Sequence, residues 1–286
     1  MTLQMPNFYL IAHSHGVAML DGISDWRERF RNDGPQDSRF GAAFQGWFSG
    51  ALNHEPFNAN VRDVDLPFKQ ISAWLISSGA NIGILAQLEN RDGANILGIN
   101  EMLSSTLQRW NGHVPILSML NGNEHATFMF NRYPAYDFID QDLPGVETGV
   151  PLIDTTFIDE VIAGWIRAVF VSLLAIRHVS ANPLFHTLPP PPREHPERSL
   201  HPEGLGGLVA QYGFLPARLR LKWYLRYCRQ LRMQLESIGC HVLAAPVQAC
   251  TEAGLLRDEC AEGLTHGNAN YGRLVAQQFA TLLESQ

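Results

Sequence analysis

Asn7-Phe-Tyr-Leu-Ile-Ala-His-Ser-His-Gly16 is the stretch that decides the fold. Phe8 to Ala12 is wholly apolar, and the chain then breaks into a small polar cluster closed by glycine. A short apolar run with a glycine behind it predicts a buried strand. Strands buried on both faces belong to parallel sheets covered by helices. A serine just past the carboxyl end of such a strand stands where open α/β sheets place their ligands, which singles out Ser14.

Working outward, apolar runs alternate with helical patterns. Val17 to Phe30 has helical character, and Asn53 to Leu66 is polar and irregular around Pro56. Phe68 to Leu88 is apolar and fits strand or helix. Gly98 to Trp110 predicts a helix, with Asn100 as its N-cap. Val114 to Leu120 predicts a second buried strand, ending at Asn121-Gly-Asn-Glu-His125. Asp154 or Thr155 caps a helix reaching about His178, Pro183 to Leu188 predicts a strand, and Pro189-Pro-Pro-Pro192 forces a stiff extended exit. A helix follows from Pro216 to about Ser237, stopped by Gly239. A strand from Cys240 to Ala245 and a last helix from about Ala269 to Glu284 complete the pattern. This alternation predicts a flavodoxin-like three-layer α/β/α sandwich with a mostly parallel sheet. The expectation is one domain over residues 1–286, with a Pro/His-rich loop around 189–207.

Composition narrows the function classes. The chain has 286 residues, 45% of them hydrophobic, which suits a folded core. A net charge of -7 supplies no global basic field for nucleic acid or an anionic membrane. The local exception, Arg218 to Arg232, reads as the solvated face of an amphipathic helix, with an anion-binding face as the alternative. Cys228, Cys240, Cys250 and Cys260 form no CxxC pair, so free, mostly buried thiols in a reducing compartment are expected. The apolar stretch Val161 to Ile176 is short for a membrane span and carries Arg167. No secretory leader is evident at the N-terminus, and a cytoplasmic location is expected.

Three polar clusters carry the chemistry. Ser14 becomes a nucleophile only if a base takes its proton and donors hold the oxyanion; its other reading is a helix N-cap. Asn123 offers a side-chain NH2 of the oxyanion-hole kind, beside Gly122, Glu124 and His125, although Asn-Gly is also a common turn. His266, in Leu264-Thr-His-Gly-Asn268 before the last helix, can reach back over the sheet edge to the serine. His186, at the end of its strand, is either a cleft-wall residue or a structural histidine. His13, His15, His125 and His186 lack tight ligand spacing, so no metal and no cofactor is expected. No Gly-x-Ser-x-Gly elbow surrounds Ser14, which argues against an α/β-hydrolase.

Together these clusters resemble the SGNH, or GDSL-like, hydrolase superfamily. Its first block places the nucleophile after strand one; here it reads Ala12-His-Ser-His-Gly16. Its third block, Gly-x-Asn-Asp, aligns with Asn121-Gly-Asn-Glu124, so Asn123 matches and Asn121 replaces the glycine. Its fifth block, Asp-x-x-His, aligns with Gly263-Leu-Thr-His266, so His266 matches and Gly263 stands where the Asp belongs. The resemblance implies serine-dependent ester hydrolysis or acyl transfer, with Ser14 as nucleophile, His266 as base and Asn123 in the oxyanion hole. Glu262 is the first substitute for the missing acid; Asp258, Glu259 or a backbone carbonyl are the others. The second-block glycine is assigned to Gly46, with Gly50 as the alternative. The implied partner is a small-molecule or carbohydrate ester, O-acylated carbohydrate first. The departures in blocks three and five support a non-hydrolytic carbohydrate-binding or biosynthetic partner as the alternative.

Overall fold

Phe8–Ala12 forms β1, and every residue in it is buried. The computed structural model describes residues 5–31, 56–76, 85–120, 130, 135–199 and 206–285. Among these the strands are β1, β2 (Phe57–Asn60), β3 (Gln70–Leu75), β4 (Ala86–Arg91), β5 (Ala94–Ile99), β6 (Ile116–Met119), β7 (Leu184–Thr187), β8 (His241–Leu243), β9 (Ala261–Glu262) and β10 (His266–Gly267). The helices are α1 (Ser14–Ile23), α2 (Trp26–Arg31), α3 (Glu101–Arg109), α4 (Thr155–Val179), α5 (Gly206–Tyr212), α6 (Ala217–Ser237) and α7 (Ala269–Glu284).

The main sheet runs β2-β3-β1-β6-β7-β8. Its strands are parallel except β2, which pairs antiparallel with β3. The five parallel strands therefore lie in the order second, first, third, fourth, fifth, the flavodoxin-like winding. Alternate side chains enter opposite layers. Phe8, Leu10 and Ala12 pack with α1 and α7 on one face, while Tyr9 and Ile11 pack with α3, α4 and α6 on the other. The molecule is a three-layer α/β/α sandwich around a mostly parallel sheet.

Several boundaries differ from expectation for local reasons. The first helix starts at Ser14, three residues before Val17, directly off the strand. The stretch around Pro56 contains β2, an edge strand whose polar sequence carries no buried-strand signal. Within Phe68 to Leu88 the described residues include β3 and the start of β4. Gly98 and Ile99 belong to β5, and α3 begins only at Glu101, where the Asn100 side chain accepts from the Met102 N–H at 2.8 Å. Asp154 caps α4 by accepting from the Thr156 N–H at 2.7 Å.

The basic stretch 218–232 departs most from its solvated reading. Lys222 is fully buried on α6, 2.6 Å from Asp137 and 2.8 Å from the Phe138 carbonyl. Arg226 grips Asp159 through two bonds of 2.6 Å, and Arg229 reaches Asp140. Arg220 is buried and donates to the carbonyls of Leu215, Arg193 and Glu194. These positive charges tie α6 to acidic and carbonyl groups from distant segments, the pairing that buried charge requires. All four cysteines are free, and burial pushes the Cys228 and Cys240 thiols up to about 12. Among the described residues no helix is long and apolar enough to cross a membrane.

Candidate active site

Ser14 is the first residue of α1, and His13, in extended conformation, occupies the N-cap position. The N-cap alternative for Ser14 is thereby corrected. The ladder continues one step past β1, because the His13 N–H donates to the Met119 carbonyl at 3.2 Å. Ser14 thus stands just beyond the carboxyl edge, beside the switch point between β1 and β6 where the winding reverses. It also sits at the positive end of the α1 dipole.

Ser14 Oγ lies 2.7 Å from His266 Nε2. For the hydroxyl to donate there, Nε2 must offer its lone pair and Nδ1 must carry the proton. Nδ1 faces Thr265 Oγ1 at 2.9 Å, a hydroxyl able to accept that N–H. His15, almost fully buried, stacks on His266 with ring centroids 4.6 Å apart and planes 28° apart. His266 is therefore held through both ring nitrogens and one face.

Three devices place His266. The antiparallel pair β9 and β10 sets it opposite Glu262, and Gly263 in the intervening turn adopts φ 56, a conformation glycine enters without β-carbon strain. Asn268 caps α7, accepting from Asn270 N–H at 2.9 Å and Tyr271 N–H at 3.3 Å, while its own NH2 donates to the Glu259 and Ala261 carbonyls. Arg193, nearly buried, donates to the Gly263 carbonyl at 2.8 Å and to Asp258 at 2.9 Å.

The remaining candidates divide clearly. Glu262 faces His266 across the β9–β10 pair and lies within electrostatic range of Arg27. Asp258 is gripped by Arg193 and Arg198, which hold its carboxyl below the usual range, so its charge is spent on those arginines. Glu259 pairs with Arg257 at 3.7 Å. Asn123, Gly122, His125, Gly46 and Gly50 lie outside the described residues. His186 is corrected from cleft wall to core. Its strand runs on through Thr187, it is fully buried, and its Nδ1 lies 3.1 Å from Ser118 Oγ. Burial lowers its pKa to about 3. His13, beside Ser14, is also fully buried and lowered to about 4 by burial. Among the described residues no three His, Cys, Asp or Glu side chains converge as a metal site.

Sequence reasoning missed Thr265 and Arg193. Thr265 was visible as the neighbour of His266, but only the tight hairpin turns its hydroxyl onto the ring. Arg193 carries no local signal, because its partners lie 65 and 70 residues away.

A hydroxyl hydrogen-bonded to an imidazole nitrogen, at a helix N-terminus above the sheet edge, can lose its proton as the oxygen attacks an electrophilic carbon. No family model and no curated protein matches the chain. Among solved structures, it is similar to the periplasmic domain of a lipopolysaccharide acetyltransferase from Salmonella ser. Paratyphi A, at 10% identity and TM-score 0.43, over 98% of this chain and 84% of that one. It is also similar to a proposed arylesterase from Agrobacterium tumefaciens str. C58, at 12% identity and TM-score 0.36, over 97% of this chain and 98% of that one.

Proposed function

We propose that this chain catalyses ester hydrolysis or acyl transfer through an acyl-enzyme on Ser14, as an SGNH-type enzyme. The observation that carries the reading is the 2.7 Å contact between Ser14 Oγ and His266 Nε2. Ser14 Oγ attacks the ester carbonyl while His266 takes its proton. His266 then returns that proton to the departing alcohol, and water or an acceptor hydroxyl releases the acyl group by the reverse steps. The Ser14 N–H at the start of α1 and the Asn123 side chain are assigned to the oxyanion. O-acylated carbohydrate is the substrate class to test first.

A phosphonofluoridate probe and a small acetyl ester test the reading. Wild-type protein is expected to be labelled on Ser14 and to turn the ester over. Ser14→Ala, folded by circular dichroism, is expected to lose both. Asn123→Ala is expected to lower kcat by about 10²–10³ with little change in KM. Turnover that survives Ser14→Ala would remove the serine from the chemistry. A wild type that neither labels nor turns over esters would favour the binding-partner alternative.

A further inference from the structure

We propose that Arg193 is the positioning residue for His266, holding the base-bearing hairpin at the distance from Ser14 that proton transfer needs; this rests on the Ser14–His266 reading above. Arg193 touches neither the serine nor the imidazole in the contacts that define it. Its two terminal nitrogens divide between the Gly263 carbonyl at 2.8 Å and Asp258 Oδ1 at 2.9 Å. Those two acceptors flank β9, the strand that pairs with His266. One guanidinium therefore spans both ends of the strand on which the base rests.

The anchor behind Arg193 is rigid. Its backbone leaves the tetraproline exit, where Tyr224 on α6 donates to the Pro189 carbonyl at 2.9 Å. The Leu256 N–H donates to the Pro192 carbonyl at 3.0 Å. The carbonyls of Arg193 and Glu194 both accept from the buried guanidinium of Arg220 on α6. A continuous line of bonds thus runs from α6 through the proline segment and Arg193 to the turn at Gly263. Proline fixes φ, so the segment cannot drift to follow a loosened turn. Two bonds from one planar guanidinium also fix direction, which a flexible ammonium does less well.

This geometry gives the glycine at 263 a second role. Its carbonyl accepts from Arg193 within a turn that needs positive φ, so the residue that shapes the turn is also the one Arg193 holds. Arg193 fixes the hairpin at its turn, while Thr265 and Ser14 hold the half-buried imidazole.

The test uses the full chain, the acetyl ester and the phosphonofluoridate probe. Arg193→Ala is expected to lower kcat and the rate of Ser14 labelling by about 10–100-fold, because a misplacement of about 1 Å costs on that order. KM is expected to stay nearly unchanged. Added guanidinium ion, below concentrations that unfold the chain, is expected to restore both rates. Rescue of rate is the reading that a merely structural role would not produce. Arg193→Lys is expected to retain part of the rate, keeping the charge without the two-pronged grip. If Arg193→Ala fails to fold, Arg193→Lys and Asp258→Asn are compared, and a lower kcat at unchanged KM in both is expected. A folded Arg193→Ala with wild-type kcat, a kcat loss that guanidinium does not restore, or wild-type kcat in both milder variants would overturn the proposal. A wild type that never labels at Ser14 would instead sink the parent reading, so the two failures are distinguishable.

Discussion

Gly272 sits so close to Ala18 that a β-carbon on the glycine would collide with the Ala18 carbonyl. Gly22 meets α7 in the same way, where an added β-carbon would lie 2.9 Å from the Arg273 nitrogen. The first and last helices therefore touch backbone to backbone. Ser14 opens one of them and His266 precedes the other, so the seam bears on the separation of these two side chains.

Gly272→Ala is expected to destabilise the chain by about 1–3 kcal/mol through overpacking. The folded fraction is also expected to lose kcat, because α1 and α7 must part. Gly164→Ala is the control: that glycine is exposed on α4 with open space around it, and alanine there is expected to stabilise by about 0.5–1 kcal/mol. Urea midpoints and initial rates measure both. A Gly272→Ala protein as stable and as active as wild type would contradict the seam.

Lys222→Met is expected to cost about 3–5 kcal/mol, since it strands the buried Asp137 carboxylate. Replacing Asp137 with Asn in the same chain is expected to recover part of that loss. Equal denaturation curves for single and double variants would show that the pair is not coupled.

Acid is expected to destabilise the chain well above the carboxylate range. Burial lowers His13 to about 4 and His186 to about 3, from an ordinary 6.5. Below pH 6.5 the unfolded chain binds protons at these sites and the folded chain does not. The stability contributed by neutral burial is complete above pH 6.5 and falls as pH drops towards 4 and then 3. Each site steepens the loss by about 1.4 kcal/mol per pH unit inside its window. Urea midpoints from pH 7.5 to 4.5 would show it, and a flat profile would mean the two imidazoles reach solvent or a partner when protonated.

Of the parallel strands, β1, β6, β7 and β8 were legible because each is a short apolar run closed by Gly, Pro or Asn, whereas β3 lay in a stretch that fitted strand or helix; the caps Asn100 and Asp154 stood at the helix starts. The pairing of β1 with β6 followed from the winding, not from any local pattern. The β4–β5 hairpin was overlooked although its signal was present: Asp92-Gly93 takes φ 53 and 83, the turn that Asp-Gly favours. The inward face of α6 was not legible, because periodicity reports how residues sit on one helix and says nothing of the aspartates that meet them. In the site, Ser14 and His266 were read from their places at the sheet edge. Of the two readings of His186, its full burial favours the structural one, and Thr265 and Arg193 depend on turns that only three-dimensional pairing creates.

Ser14 and His266 are 252 residues apart in the chain, and the helix that locks them together is the last one. Closing a loop of that length is slow relative to local contacts. Ser14 can meet His266 only after α1 and α7, which lie far apart in the chain, have come together. Appearance of the Ser14–His266 hydrogen bond would therefore report the docking of α7 more faithfully than any spectroscopic signal from the sheet.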